Sequence, residues 1–170
     1  DKINSLATSV VFKVDGVGVG EELNVFLVGG QSNSGGRVPY TSGPSYLQNG
    51  IVDNIAAFNG NRIIYDLRDG QARINGRSSG AVNDYAFNHV ALYQIGQDLP
   101  NVTTVQITVG DTPLYSGAAN SKGIWNADYS SIPSNSPALL QALQQRFEQL
   151  ESFVSSRPGL RIKVRGLIWQ

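Results

Sequence analysis

Three apolar runs along the chain have the length and composition of buried β-strands. Residues 23–28 are apolar apart from Asn24, residues 102–109 are rich in β-branched side chains, and residues 160–169 form a third apolar run. The run at 23–28 has the length that is typical of a strand buried on both faces, as in a parallel sheet covered by helices. We therefore expect three core strands.

Two other segments have the periodicity of helices. Residues 82–99 place apolar side chains near helical spacing, and Pro100 is expected to end that helix. Residues 139–154 have a clearer period, for which we predict Ser136 as the N-cap, Pro137 as the first helical residue and an end near Ser156. This alternation of strands and helices predicts an α/β layered fold with a largely parallel sheet.

The remaining segments are rich in glycine, serine and proline. Residues 1–22 are expected to form a leading edge strand, at 9–14, and a turn. Residues 62–67 are predicted to form a further strand that a turn closes. Residues 31–60 are expected to be a long, loop-rich stretch with a short apolar segment at 51–58, and loops of this length usually carry function or are mobile.

Length and charge narrow the possible functions. A chain of 170 residues is expected to form a single domain, and its 13 basic and 13 acidic residues cancel, so neither nucleic acid nor an anionic membrane is an expected partner. With no cysteine and one histidine, the sequence predicts no disulfide, no metal site and no cofactor. Its content of Gly, Ser and Asn suits an extracellular location or a virion or cell surface.

Polar residues follow directly after each core strand, where ligands bind in sheets of this kind. The first strand ends in the sequence GGQSN, residues 29–33. Gly29 and Gly30 would allow a bend that exposes the Ser32 hydroxyl, and such a turn suits a nucleophile whose own N–H is one oxyanion donor. A plain β-turn, in which Ser32 and Asn33 cap the next element, is an equally good interpretation of these residue types.

Three motifs together resemble one family. The segment VFLVGGQSN resembles the first block of the SGNH hydrolase superfamily, in the variant where Gly-Gln-Ser-Asn replaces Gly-Asp-Ser, as in sialate O-acetylesterases and acetylxylan esterase-like carbohydrate esterases. ITVGDTPL, followed by Trp125, resembles the second block, and VRGLIWQ resembles the strand leading into the third. The resemblance spans residues 23–170. It implies a flavodoxin-like three-layer sandwich with a central, mostly parallel sheet, whose C-terminal part is missing from these residues.

The resemblance also implies an activity, that of a carboxylic ester hydrolase. The enzyme would remove O-acetyl groups from a carbohydrate through an acyl-enzyme, with Ser32 as the nucleophile. The N–H groups of Ser32 and Gly110 would form the oxyanion hole, which the neighbourhood of Gln170 would complete. The residues that would contact the substrate are Gln31, Asn33 and Trp125.

The catalytic base is the point at which this sequence departs from the family. In the family, the Asp-x-x-His pair follows the third block. We therefore expect the base and its orienting aspartate beyond Gln170, in a remaining C-terminal part of the same domain. Without that partner these residues are expected to be close to inactive. His89 is a less favoured alternative base, since a partly buried helix histidine is its more common role.

Three alternatives stay open at this point. Asp111 could orient the loop that carries Gly110 or could be a turn aspartate bonded to its own backbone. Trp125 could stack on a sugar ring or pack in the core. The protein as a whole could be a non-catalytic carbohydrate-binding or structural module with a degenerate hydrolase fold, for example in a phage or cell-surface assembly.

Overall fold

The computed structural model of the chain describes residues 13–14, 17–18, 22–31, 38–39, 42–47, 55–64, 84–85, 87–114 and 120–169. Within these ranges the strands and helices are, in chain order, β1 (Lys13–Val14), β2 (Val17–Gly18), β3 (Glu22–Gly30), β4 (Val38–Pro39), β5 (Ile55–Phe58), β6 (Ile63–Ile64), β7 (Asp84–Tyr85), α1 (Phe87–Asp98), β8 (Val102–Thr108), α2 (Leu139–Ser155) and β9 (Arg161–Trp169). Short 3-10 helices lie at Ser45–Leu47 and Tyr129–Ser131.

The main sheet has five strands in the order β6-β5-β8-β3-β9. The strands β5, β8, β3 and β9 are parallel, while β6 pairs antiparallel with β5. The expected α/β fold with a largely parallel sheet is therefore confirmed. The three strands predicted for the core, β3, β8 and β9, lie side by side, so their carboxyl ends meet at one edge of the sheet.

The strand order differs from the expected flavodoxin-like arrangement. Numbered along the chain, the four parallel strands lie in the order 2-3-1-4, whereas a flavodoxin-like sheet has the order 2-1-3-4-5. The reason is the position of β8, which pairs with β3 over seven residues and with β5 on its other side. All seven residues of β8 are buried, because β8 has a neighbouring strand at each edge and a helix over each face.

The strand β5 lies inside the stretch that was expected to be a loop. All four of its residues, Ile55–Phe58, are buried, and it forms the parallel neighbour of β8. The expectation of a loop-rich segment with no core strand was wrong here. Four residues with two alanines carry too little periodicity to separate a buried strand from an apolar loop segment.

The helices cover opposite faces of the sheet. On one face, Leu92 of α1 packs in a cluster with Phe26 and Val102. On the other face, α2 packs Leu143 and Leu150 in the cluster that contains Val25. Since successive residues of a strand point to opposite faces, β3 contributes side chains to both clusters. The result is three layers, with the sheet in the middle.

The predicted start of α1 was wrong and its predicted end was confirmed. The helix begins at Phe87, because Asp84–Tyr85 pair with Val38–Pro39 as a two-residue ladder, and it ends at Asp98, before Pro100. The strand predicted at 62–67 is described only at 62–64, where residues 63–64 form β6. The edge strand predicted at 9–14 is described only at 13–14, as β1.

The predicted cap of α2 was also wrong, whereas its end near Ser156 was confirmed. Ala138 is the N-cap, and Leu139 is the first helical residue. Ser136 is buried, and its hydroxyl donates a hydrogen bond to the Asn120 carbonyl. The hydroxyl that was expected to cap the helix therefore bonds Asn120, which is distant in the sequence, instead of the first turn of α2. In the part of the chain described above, neither helix is long and apolar enough to cross a membrane.

Candidate functional site

The carboxyl ends of β3 and β8 lie at a point where the direction of the chain through the sheet reverses. After β3, the next strand in the sheet is β5, which lies beyond β8 on one side. After β8, the chain crosses β3 to form β9 on the opposite side. The connections from these two neighbouring strands thus run toward opposite edges of the sheet, and in open α/β sheets ligands bind outside the carboxyl ends of the strands.

Two hydrogen bonds join the ends of these strands. The Val109 N–H donates to the Gly30 carbonyl over 3.0 Å and continues the parallel ladder by one residue. The Gln31 side chain then donates from Nε2 to the Thr112 carbonyl over 2.6 Å. Gly110 lies between Val109 and Thr112, so both of its flanks are held against residues 30–31. The turn that carries Gly110 therefore lies beside the segment that leads into Ser32.

Thr112 anchors this turn from below. Its side chain is 1% exposed, and its hydroxyl donates to the Val109 carbonyl over 2.7 Å while accepting a hydrogen bond of 3.0 Å from Trp125 Nε1. The Trp125 N–H also donates to the Pro113 carbonyl over 2.9 Å. Buried polar groups that are paired in this way hold a single geometry. We expect the Gly110 turn to be rigid for that reason.

The two glycines at the end of β3 serve different purposes. Gly30 has a φ of +134°, a backbone conformation that residues with a Cβ rarely adopt. Gly29 faces Trp169 across the ladder, and a Cβ there would lie 2.9 Å from two ring carbons of Trp169 and 3.3 Å from Cη2 of Trp125. Gly30 therefore has a backbone conformation that favours glycine, while Gly29 provides room for two indole rings.

The two tryptophans form one aromatic pair at this edge. Their ring centroids are 4.7 Å apart and the ring planes meet at 85°, an edge-to-face contact of the kind that aromatic pairs prefer. Trp125 is 5% exposed and belongs to the core, whereas Trp169 is 41% exposed. Core packing, one of the two alternatives for Trp125, describes its position. Its contact with substrate stays a prediction, and Trp169 carries the exposed aromatic surface.

Asp111 braces the Gly110 turn from the solvent side. It adopts a φ of +59°, its carbonyl accepts a hydrogen bond of 2.8 Å from Asn120 Nδ2, and its carboxylate lies 2.5 Å from Lys122 Nζ. These contacts tie residues 120–122 to the turn, and the choice between the two roles expected for Asp111 stays a prediction. Both charged side chains are largely exposed, so the ion pair adds little to stability.

The connection between β8 and α2 has a hydrogen-bonded structure of its own. Asp128 caps the Tyr129–Ser131 turn by accepting hydrogen bonds from the backbone and hydroxyl of Ser130. The hydrogen bond from the Ser130 hydroxyl holds the pKa of the Asp128 carboxyl below its usual value. Nearby, Ile124 donates to the Pro137 carbonyl and accepts from the Leu139 N–H, each over 2.9 Å. These contacts hold the segment that contains Trp125.

Of the other predicted site residues, the structure describes only His89. Ser32, Asn33 and Gln170 lie outside the described residues, and their roles stay predictions. His89 is buried and lies in the first turn of α1, whereas the longer predicted helix put it in the middle. Its role as an alternative base also stays a prediction. Among the described residues, no three His, Cys, Asp or Glu side chains could together hold a metal ion.

Two residues that shape this edge were not among the predicted site residues. Thr112 was visible only as part of the GDTPL motif, and nothing in its residue type indicates that it is buried. Trp169 was seen as the end of a strand. A signal does exist for it, because a glycine often faces a large aromatic side chain across a ladder, but the pairing of Gly29 with Trp169 requires the strand register.

Comparisons of the chain with protein-family models, with curated proteins and with solved structures each gave no match.

Proposed function

We propose that this protein is a serine esterase that removes O-acetyl groups from a carbohydrate through an acyl-enzyme. The observation that supports this most is the pair of hydrogen bonds between the ends of β3 and β8, from Val109 to Gly30 and from Gln31 to Thr112. An acyl-transfer site needs its nucleophile and its oxyanion donors about 3 Å from one reacting group. The two bonds hold the Gly110 turn next to the residue that precedes Ser32, as this chemistry requires.

In the proposed mechanism, the Ser32 hydroxyl oxygen attacks the acetyl carbonyl carbon and passes its proton to a base. The N–H groups of Ser32 and Gly110 hold the resulting oxyanion, and each such donor is worth roughly 100- to 1,000-fold in rate. The bond from carbon to the sugar oxygen then breaks, and that oxygen takes the proton from the base. Water attacks the acyl-enzyme in the same way and releases acetate.

The proposed base is the histidine of the Asp-x-x-His pair that the resemblance puts after Gln170. A serine without such a base is a poor nucleophile. His89 is the second choice, since it is buried on α1 and the family motif assigns no role to this position. Substitution of His89 by Gln, with activity measured as below, separates the two candidates.

Gln31 has a different role in this proposal from the one its motif suggests. Its Nε2 donates to the Thr112 carbonyl over 2.6 Å. That bond spans 81 residues of sequence and joins the nucleophile segment to the oxyanion segment. We assign Gln31 a positioning role, in which it acts on the substrate through the Gly110 turn.

The test is acetate release from acetylated xylan by the full-length protein. Ser32→Ala is expected to lower the rate at least about a thousandfold, because the loss of a triad member removes most of the catalysis. Ser34→Ala is the matched control, since it removes a second hydroxyl from the same segment, and it should keep the rate within about threefold. Full activity of Ser32→Ala would rule out the assigned nucleophile.

A wild-type protein that releases no acetate would contradict the esterase. Calorimetric binding of non-acetylated xylo-oligosaccharides by that protein would then support the alternative, a carbohydrate-binding module that has kept the fold without the chemistry.

A further inference from the structure

We infer that Trp169 is a substrate-binding residue, on whose exposed ring surface the sugar next to the scissile ester packs. This inference rests on the proposed esterase function and names the part of the site that would select a carbohydrate. Trp169 is the last residue of β9 and pairs in the ladder with Gly29. Gly29 is only three positions before Ser32. The exposed indole therefore lies at the sheet edge where β3 ends, close to Gln31, the described residue that precedes the proposed nucleophile Ser32.

The ring of Trp169 is fixed in place by its neighbours. It packs against the backbone of Gly29 so closely that a Cβ there would clash at 2.9 Å. Trp169 also makes an edge-to-face contact with Trp125, which is buried and hydrogen-bonded through its indole N–H to Thr112. A ring that is already held in one orientation loses little conformational entropy when a ligand covers it.

The chemistry of this surface fits a neutral ring with an apolar face. Trp169 is 41% exposed, and a pyranose presents C–H groups on its faces and hydroxyls around its rim. The charged residues of the adjacent Gly110 turn, Asp111 and Lys122, neutralise each other. Covering about 55 Å² of apolar ring surface corresponds to roughly a tenfold gain in affinity. Sugar stacking at this position would thus add selectivity without a charged contact.

A competing explanation is that Trp169 belongs to an apolar strip that a protein segment covers. Leu167 and Val164 lie on the same face of β9 and are 58% and 51% exposed. Trp169 differs from both, because it alone lies at the carboxyl end of the strand and contacts Gly29 and Trp125. Leu167 therefore makes a good control, being more exposed than Trp169 and two residues away on the same face.

The experiment compares two esters in the full-length protein, acetylated xylo-oligosaccharides and ethyl acetate. Ethyl acetate carries the same acyl group and has no ring to stack. For Trp169→Ala we expect kcat/KM on the sugar ester to fall about tenfold more (~1.4 kcal/mol) than kcat/KM on ethyl acetate, mainly through KM. Trp169→Phe should restore most of the difference, and Leu167→Ala should shift both esters by less than about twofold.

Three outcomes would overturn the inference. One is an equal loss on both esters, which would show that Trp169 only supports the fold of the site. Another is an effect of Leu167→Ala as large as that of Trp169→Ala, which would indicate a covered strip. The third outcome concerns binding alone, which calorimetry measures for non-acetylated xylo-oligosaccharides and the Ser32→Ala variant. If adding Trp169→Ala to that variant left the affinity unchanged, Trp169 would not be a sugar-binding residue.

The binding measurement also separates this inference from the proposed function. If the wild-type protein hydrolyses neither ester, the esterase proposal fails. In that case, oligosaccharide binding that depends on Trp169 would still support Trp169 as a sugar-binding residue, and absence of binding would refute that role.

Discussion

Substitution of Gly29 by alanine tests whether the Trp169 ring lies where the structure puts it. The new Cβ would lie 2.9 Å from two ring carbons of Trp169 and 3.3 Å from Trp125. Carbon atoms prefer about 3.5–4.0 Å, so the ring would have to move by about 0.6 Å or more. Overpacking of this kind costs about 1–3 kcal/mol, and it opposes a gain of about 0.5–1 kcal/mol from replacing a strand glycine by alanine.

Gly166→Ala is the control that isolates the contact. Gly166 is also a strand glycine, in the neighbouring strand β9, but a Cβ there would meet only the Phe26 ring, at 3.9 Å, which is ordinary contact. The gain from removing glycine is common to both variants. The difference between their free energies of unfolding should therefore equal the cost of overpacking, about 1–3 kcal/mol, with Gly29→Ala the less stable.

The assay is urea denaturation of the full-length protein, with near-ultraviolet circular dichroism of the native state as a second reading. The Trp125–Trp169 pair is expected to contribute a signal that Gly29→Ala changes and Gly166→Ala leaves alone. Equal stabilities for the two variants would refute the close packing of Trp169 on Gly29. A stability loss with an unaltered tryptophan signal would show that the cost arises elsewhere.

Two further predictions concern the supports of the site. Thr112→Val removes the buried hydroxyl that bonds Trp125 and Val109. It should lower the free energy of unfolding, measured with urea, by about 1–3 kcal/mol. Thr112→Ser keeps the hydroxyl, so an equal loss of stability in that variant would contradict the hydrogen-bond explanation. The Asp128 carboxyl, whose pKa is lowered by Ser130, should titrate by NMR below the ordinary aspartate value of about 3.9, and Ser130→Ala should raise that pKa. Because the folded pKa is the lower one, the stabilisation is present above the ordinary value and is lost as the pH falls through the folded pKa; an unchanged titration in Ser130→Ala would refute this cause.

The core of the sheet could be predicted from the sequence because its strands are long and apolar. β3, β8 and β9 extend over nine, seven and nine residues, and each lies within about two residues of its predicted bounds. Their length separates a strand from a loop. The prediction that β9 is a buried core strand was wrong, because β9 is the edge strand of the sheet and most of its residues are exposed. The same reasoning failed for Ile55–Phe58, where four apolar residues fit a strand, a helix turn or a buried loop equally well.

Local signals failed where a distant residue supplied a better partner. Ser136 followed by Pro137 is a good start for a helix, yet the Ser136 hydroxyl bonds the Asn120 carbonyl and α2 begins at Leu139. The helical periodicity was likewise overridden at Asp84–Tyr85, which pair with Val38–Pro39. Propensity is a weak preference, and a tertiary hydrogen bond or ladder is enough to reverse it.

The sequence predicted that the candidate site lies at the ends of the strands, but the geometry of the site could not be predicted from the sequence. Parallel strands bring their carboxyl ends to one edge, so GGQSN and VGDT were bound to meet if their strands were neighbours. Whether Gln31 reaches Thr112, 81 residues away, depends on the register in which Gly30 pairs with Thr108. A shift of one residue would turn each side chain to the other face. The register, which no single segment encodes, thus decides whether a serine after β3 has an oxyanion donor beside it.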